Sequence, residues 1–208
     1  MQARRHHSAR SIFGGFGRTT SHTLALSALL SALLVAAPAA LAAQAPVDHA
    51  PAVGDIAPDF TVPASNNGKV LAKPFKLSDY RGKTVVLAFF PKSRTSGCTH
   101  QMEAYRDRYA TLFHGGKDVM LVSISADDAP TQASWATDEK FSWTFASDAG
   151  GAVGTQYGTF NPEYKLDMRT LYIIGPDGKI TYVARPFKEM VETSYTDLGA
   201  ALDKVKGQ

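Results

Sequence analysis

Two continuous apolar runs constrain the fold of this chain more than any other feature of its sequence. "KTVVLAFF" covers residues 83–90, and "DVMLVSIS" covers residues 118–125. Both are rich in β-branched and aromatic side chains and lack regular polar alternation, which is typical of strands buried on both faces of a sheet. A helical pattern lies between them. The sequence therefore predicts an α/β domain.

The remaining segments continue the alternation of strands and helices. Apolar side chains recur at spacings of three and four over residues 98–113, which predicts a helix. Residues 176–178, Pro-Asp-Gly, predict a hairpin turn between strands at 170–175 and 179–184. The order β-α-β-α…β-β-α predicts a mixed central sheet flanked by helices, with the hairpin as its antiparallel part. It matches a thioredoxin-like fold, although many α/β folds share pieces of it. Further helices are predicted at 131–140 and 194–206.

Residues 1–42 have the composition of an export signal peptide. A basic stretch precedes the apolar run of residues 23–42, and Ala40-Leu41-Ala42 supplies the small-x-small pattern of a cleavage site. Cleavage is expected after Ala42, with cleavage after Ala43 or Ala45 as the alternatives. We therefore expect an exported protein, periplasmic or secreted, with no membrane attachment after cleavage. A retained membrane anchor is the alternative, against which Pro38 and the many alanines argue. The pair Arg4-Arg5 leaves the choice between the Sec and twin-arginine routes open.

The rest of the chain is predicted to form a linker, residues 43–52, and one domain, residues 53–208. Four of the 22 basic residues and no acidic residue fall in the first 42, so 18 basic face 19 acidic side chains in the remainder, a net charge of −1. No basic cluster survives there, so we expect no nucleic-acid partner. No histidine cluster has metal-ligand spacing, and we expect neither a metal nor a cofactor.

Cys98 is the single cysteine of the 208 residues, and its position predicts a reactive thiol. It follows a predicted buried strand and lies in the first turn of a predicted helix. Open α/β sheets bind ligands at the carboxyl ends of their strands. The free N–H groups and partial positive charge of a helix N-terminus favour thiolate over thiol. The alternative is a small buried side chain with a packing role.

The residues before the thiol carry a resemblance to a known family. "PKSRTSGC", residues 91–98, matches the peroxiredoxin signature P-x-x-x-T-x-x-C at every fixed position. Over about residues 53–206 the chain resembles the AhpC/TSA superfamily, and within it the Q-type, or bacterioferritin-comigratory, peroxiredoxins. The other similar segments are "GDIAPDF" (54–60), "LSDYRGKTVVLAFFP" (77–91), "SDAGGAVGTQYG" (147–158) and "MRTLYIIGPDGKI" (168–180).

The resemblance implies catalytic roles for Cys98, Thr95, Arg169 and Pro91. Cys98 would be the nucleophile, and the Thr95 hydroxyl would accept from peroxide and donate to the thiolate. Arg169 would place a permanent positive charge beside the sulfur and stabilise the leaving oxygen. The Pro91 ring would screen the sulfur from water. As alternatives, Thr95 would be a plain helix N-cap and Arg169 a surface arginine.

The resemblance also implies the activity of a thiol-dependent peroxidase. It would reduce hydrogen peroxide and small organic hydroperoxides and form a sulfenic acid on Cys98. Many Q-type relatives have a second, resolving cysteine five residues later, where this chain has Glu103. The sulfenic acid would therefore be reduced by an external thiol or dithiol, or by Cys98 of a second subunit. We expect the protein to be a monomer or a homodimer. His100 is expected to be solvated, because residues two apart on a helix do not face each other.

Two other functions share part of this chemistry. A peroxide sensor would use the sulfenic acid only as a switch. A thiol–disulfide exchange protein of the thioredoxin superfamily is the other alternative. Cys98 is followed by Thr99, His100 and Gln101, so the chain lacks the C-x-x-C motif on which such exchange depends.

Overall fold

A seven-stranded sheet is the largest element of the computed structural model, which describes residues 50–206. These residues belong to one compact unit, Gln44–Gln208. The predicted signal peptide, residues 1–42, and most of the predicted linker lie outside the described residues. The boundaries of the signal peptide, the linker and the domain stay predictions.

Eleven strands and five α-helices form within residues 50–206, together with 3-10 helices at Leu77–Tyr80 and His114–Gly116. The strands are β1 (Thr61–Val62), β2 (Ala64–Asn66), β3 (Lys69–Val70), β4 (Phe75–Lys76), β5 (Thr84–Phe89), β6 (Val119–Ser125), β7 (Thr144–Ser147), β8 (Phe160–Asn161), β9 (Leu166–Asp167), β10 (Thr170–Ile174) and β11 (Ile180–Ala184). The α-helices are α1 (Ser96–Asp107), α2 (Tyr109–Leu112), α3 (Ala129–Asp138), α4 (Ala152–Gln156) and α5 (Glu192–Lys206).

The strand order of the main sheet is β11-β10-β5-β6-β7-β2-β3. Strands β5, β6 and β7 are parallel, while β10 runs antiparallel to both β5 and β11. At the other edge, β2 pairs antiparallel with β7 and β3. The mixed sheet and its flanking helices confirm the predicted α/β, thioredoxin-like fold.

The central strands are apolar throughout because both faces of the sheet are covered. Along β5, Val86 and Ala88 point into one core cluster, and Val85 and Leu87 point into the other. Helices α1, α3 and α5 supply side chains to the first cluster, and α4 with the chain before β5 supplies the second. Side chains of a strand alternate between faces, so burial on both sides leaves no polar alternation in the sequence.

The helix predicted over residues 98–113 is two helices. It breaks at Arg108, where φ is −105° and ψ is 9°, between α1 and α2. Beyond the break, the Tyr109 ring stacks on Trp143 at 5.7 Å between centroids, and Phe113 meets Tyr105 edge-on at 5.4 Å. Aromatic pairs at these separations are favourable. These contacts stabilise α2 in the position that it takes after the break.

A short polar chain crosses the first core cluster beneath α1. The Trp143 indole N–H donates to Ser123 Oγ at 2.9 Å, and Ser123 Oγ donates to Met102 Sδ at 3.4 Å. Met102 lies one turn after Cys98, and all three side chains are fully or almost fully buried. The thiol helix is thereby connected through Ser123 to the indole of Trp143.

Candidate active site

Cys98 lies where the sequence predicts it, in the first turn of α1 and beyond the carboxyl end of β5. Its side chain has 0% exposure and belongs to the apolar cluster that contains Phe90 and Met102. The first helical N–H, that of Thr99, donates to the Thr95 carbonyl at 2.8 Å. The N–H groups of the preceding turn therefore face out of the helix N-terminus, beside the thiol.

The loop from Pro91 to Thr95 is anchored to two other elements. The Ser93 N–H donates to Asp127 Oδ2 at 2.7 Å, just beyond the end of β6. Arg94 has a left-handed φ of +64°, and its guanidinium contacts Ser134 and Asp138 of α3. Loop geometry is therefore set by β6 and α3 as well as by the loop itself.

Thr95 is the N-cap residue of α1, but its side chain does not cap the helix. Its hydroxyl is exposed and donates to the Lys92 carbonyl at 2.9 Å. The proton expected to reach the Cys98 thiolate is thus directed to a backbone oxygen. The hydroxyl lone pairs are left to accept a hydrogen bond.

Arg169 is the positively charged residue that contacts the Cys98 thiol. Its Nη1 donates to Cys98 Sγ at 3.4 Å and to Gln101 Oε1 at 2.8 Å. The arginine directly precedes β10, which pairs with β5 and so brings residue 169 beside the strand end that leads to the thiol. Only 16% of the Arg169 side chain is exposed, so solvent screens its charge weakly. A thiol with a purely packing role would not require a buried cation at its sulfur.

Arg169 also forms an ion pair with Glu189, for which the shape of the helix start leaves room. Arg169 Nε lies 3.1 Å from Glu189 Oε2. A Cβ built on Gly97 would lie 2.8 Å from Arg169 Nη2 and 2.9 Å from Glu189 Oε1. Gly97 therefore provides the space in which this ion pair approaches the helix N-terminus.

Gln101 connects the arginine to a buried tyrosine. Its Nε2 donates to the Tyr105 hydroxyl at 2.8 Å, and both side chains are buried. Burial raises the pKa of Tyr105 well above its usual range, so the phenol remains protonated. This leaves Arg169 as the charged group next to the sulfur in this part of the site.

An opening of about 680 Å³ lies against the first turn of α1. Its lining includes Gly97, His100, Glu103, Glu189 and the exposed side chain of Met190. His100 is exposed, as predicted, and Glu103 stands where a resolving cysteine occurs in many relatives. Pro91 is half-buried at the start of the loop.

Sequence reasoning missed Gln101, Gly97 and Glu189. Gln101 lies three residues after Cys98, on the face of α1 that also carries the thiol, which is a signal that could have revealed it. Glu189 has no local signal, because its role depends on a loop that follows β11 and returns to the start of α1.

Residues 50–206 contain neither a metal-binding cluster nor a membrane-spanning helix. No cluster of three or more histidine, cysteine or acidic side chains there could hold a metal ion. No helix in the same range has the length and apolarity required to cross a membrane.

Comparison with known proteins gives a consistent result. The model of the AhpC/TSA family matches residues 53–183. "Peroxiredoxin Bcp" of Escherichia coli strain K12 is 33% identical over 141 residues, which are 65% of this chain and 86% of that protein. "Peroxiredoxin Q, chloroplastic" of Triticum aestivum is 32% identical over 145 residues, 67% of this chain; the chain spans 64% of that relative's length. The crystal structure of "Peroxidoxin BcpB" from Mycobacterium tuberculosis has a TM-score of 0.63 at 30% identity and covers 74% of this chain and 97% of its own.

Proposed function

The chain belongs to the AhpC/TSA family, and we propose that it is a Q-type peroxiredoxin that reduces hydrogen peroxide and small organic hydroperoxides. The contact between Arg169 Nη1 and Cys98 Sγ at 3.4 Å, at a helix N-terminus, is the observation that carries the proposal. It places a positive charge where a thiolate must form and where a leaving oxygen will gain charge.

In the first half-reaction the Cys98 thiolate attacks one peroxide oxygen. The S–O bond forms as the O–O bond breaks, the sulfur is oxidised to a sulfenic acid, and the other oxygen leaves as hydroxide or alkoxide and takes up a proton. Arg169 stabilises the thiolate and then the departing oxygen. Thr95 accepts a hydrogen bond from the peroxide O–H, and the Pro91 ring limits the access of water.

In the second half-reaction the reductant comes from outside this sequence. A donor thiol attacks the sulfenic sulfur, water leaves, and a mixed disulfide forms. A second donor thiol then releases Cys98 as a thiol and leaves the donor as a disulfide. Cys98 is the single cysteine of the sequence, with Glu103 at the usual resolving position, so no disulfide can form within it.

Stopped-flow oxidation of the purified chain by hydrogen peroxide tests the proposal. We expect a second-order rate far above that of free cysteine and a trapped sulfenic acid on Cys98. Cys98→Ser should abolish both. A rate no greater than that of free cysteine, or full peroxidase activity in Cys98→Ser, would contradict the proposal.

The absence of a second cysteine also favours a second candidate, a peroxide sensor. A sensor would react once per Cys98 and then form a stable mixed disulfide with its partner. Turnover assays with small thiols and with thioredoxin-like or glutaredoxin-like proteins separate the candidates. Many turnovers with any of these donors support the peroxidase, and a single turnover with all of them supports the sensor.

We also propose that the protein is exported, to the periplasm or the medium, and is a monomer or a homodimer. The basic stretch, apolar run and Ala40-Leu41-Ala42 pattern support export. Expression of the full chain in a Gram-negative host, with N-terminal sequencing of each fraction, tests it. A periplasmic product that begins at Ala43 is expected, and an uncleaved cytoplasmic product would contradict it. Size-exclusion chromatography with light scattering gives the oligomeric state.

A further inference from the structure

Glu189 is the one carboxylate in contact with the arginine that touches the thiol, among residues 50–206. Its Oε2 lies 3.1 Å from Arg169 Nε, and only 20% of its side chain is exposed. Arg169 Nη1 is engaged by Cys98 Sγ and Gln101 Oε1 on the other side of the guanidinium. The planar group is therefore held from both sides, which fixes the direction in which Nη1 points.

The loop that presents Glu189 is itself firmly held. The Phe187 N–H donates to the Arg169 carbonyl at 2.9 Å, and the Tyr195 hydroxyl donates to the Glu189 carbonyl at 2.7 Å. Phe187 is buried and packs edge-on against the Tyr195 ring at 5.3 Å. The carboxylate thus comes from a backbone fixed to the same strand start that carries the arginine.

We infer that Glu189 is a positioning residue for the peroxide reaction, which orients Arg169 toward Cys98 and partly neutralises its charge. The inference rests on the proposed function and extends it. An arginine side chain has many rotamers, and its transition-state contact depends on being held in one of them. Without the Glu189 carboxylate beside Nε, the guanidinium can turn into the adjacent opening, away from the sulfur.

The carboxylate has two separable effects. Its oxygen 3.1 Å from Nε restricts the orientation of the guanidinium, and its negative charge offsets the positive field at the sulfur. Glutamine keeps a side-chain oxygen of the same reach and removes the charge, whereas alanine removes both. The other charged or titratable side chains at this opening are His100 and Glu103 of α1. Beyond them lie Asp107, Tyr195 and the ion pair between Arg108, which follows α1, and Glu192 of α5.

The test compares Glu189→Gln and Glu189→Ala with the parent chain in two reactions of Cys98. One is oxidation by hydrogen peroxide, and the other is alkylation by iodoacetamide, each measured across pH to its plateau. Alkylation reports how readily the thiolate forms and does not depend on a leaving oxygen. Glu192→Gln is the matched control, because that glutamate also pairs with an arginine, at 2.8 Å, but does not contact Arg169.

We expect Glu189→Ala to lower the plateau rate constant of oxidation by hydrogen peroxide by about tenfold or more, which is the scale of loss for a displaced catalytic group. Its alkylation plateau should stay at the parent value. Glu189→Gln should keep the peroxide plateau within about twofold, with its alkylation midpoint moved to lower pH by about half a unit. The control should match the parent in both reactions.

Two results would overturn the inference. One is a parent-like peroxide plateau in Glu189→Ala, and the other is an equal fall of both plateaus, which would indicate general disruption. If the midpoint of the alkylation pH profile is unchanged in Glu189→Gln, the inference that Glu189 partly neutralises the charge of Arg169 is wrong. If the parent chain does not react rapidly with peroxide, the proposed function fails, yet the alkylation profiles still report how Glu189 acts on the thiol.

Discussion

At the residue scale, the site depends on a glycine that takes no part in the chemistry. Gly97 lies beneath the Arg169–Glu189 ion pair, and both side chains occupy space that a Cβ would require. Both obstructing groups are the ends of flexible side chains. A methyl group there would therefore move the ion pair rather than unfold the helix.

Gly97→Ala should lower the rate of Cys98 oxidation by about 10–100-fold, because Arg169 Nη1 is displaced from the sulfur. Stability should be unchanged or slightly higher, since alanine favours a helix over glycine by about 1 kcal/mol. Stopped-flow kinetics and denaturant unfolding measure the two quantities.

Gly199→Ala in α5 is the matched control for that prediction. A Cβ there would lie 3.4 Å from Leu112 Cδ1, an ordinary contact far from the thiol. Parent-like kinetics are expected. If Gly97→Ala also oxidised at the parent rate, the close approach of the ion pair would not matter for the reaction.

A second residue-scale feature is the buried carboxyl of Asp167, two positions before Arg169. Burial, with a smaller contribution from the nearby Asp148, raises the pKa of Asp167 from 3.8 to about 7. Its Oδ1 is 2.9 Å from Thr159 Oγ1, and its Oδ2 has no hydrogen-bond partner within residues 50–206. The folded state therefore favours the protonated acid over the anion.

This shift predicts a loss of stability as pH rises. Below pH 3.8 the carboxyl is protonated in both states, and its contribution is fully present. Between pH 3.8 and about 7 the unfolded chain releases the proton and the folded chain keeps it, so stability falls, by about 4 kcal/mol in total. Above about pH 7 the folded state also ionises and the loss levels off.

Asp167→Asn should remove this dependence and exceed the parent in stability at pH 8, while the difference shrinks toward pH 4. Urea unfolding at a series of pH values measures it. Asp203→Asn, which changes an exposed carboxylate on α5, is the control and should leave the parent profile in place. If the stability of Asp167→Asn changes with pH in parallel with that of the parent, the Asp167 carboxyl is ionised in both the folded and the unfolded state.

At the element scale, the loop between β5 and α1 is held in a conformation that its sequence does not favour. Arg94 adopts φ +64°, a region that costs a residue with a Cβ about 1–2 kcal/mol. Its ion pair with Asp138 has both side chains about half exposed and so contributes little, about 0–1 kcal/mol.

Arg94→Gly should therefore be more stable than Arg94→Ala by about 1 kcal/mol, the reverse of the usual order of these residues. Both variants lose the contact with α3, so they differ only in the free-energy cost of the left-handed backbone conformation at position 94. Denaturant unfolding compares them. Equal stabilities, or a more stable alanine variant, would mean that the loop relaxes out of the left-handed conformation.

The elements that the sequence revealed are those with strong burial patterns. Strands β5 and β6 and the β10–β11 hairpin lie within one or two residues of prediction, because double-sided burial and a Pro-Asp-Gly turn leave local signals. The short strands β2, β3 and β7 were missed. They consist of two to four residues, and their pairing depends on neighbours distant in the sequence.

At the scale of the whole molecule, the site joins segments that are far apart in the chain. Cys98 and Arg169 are 71 residues apart, and β10 brings them together by pairing with β5. Arg169 could be chosen among the arginines only through the family resemblance. Glu189 could not be chosen at all, since the fold alone creates its contact. The roles of Thr95 and Pro91 stay predictions.

The polar chain from Trp143 through Ser123 to Met102 gives the molecule an optical reporter. Cys98 is fully buried and Met102 lies one turn further along α1, so a shift of the first turns of α1 that admits an external thiol would also move Met102. Indole emission is sensitive to a change in hydrogen bonding and packing around the ring. The redox cycle of Cys98 should thus be readable in the protein's own fluorescence, without a dye or a coupled enzyme.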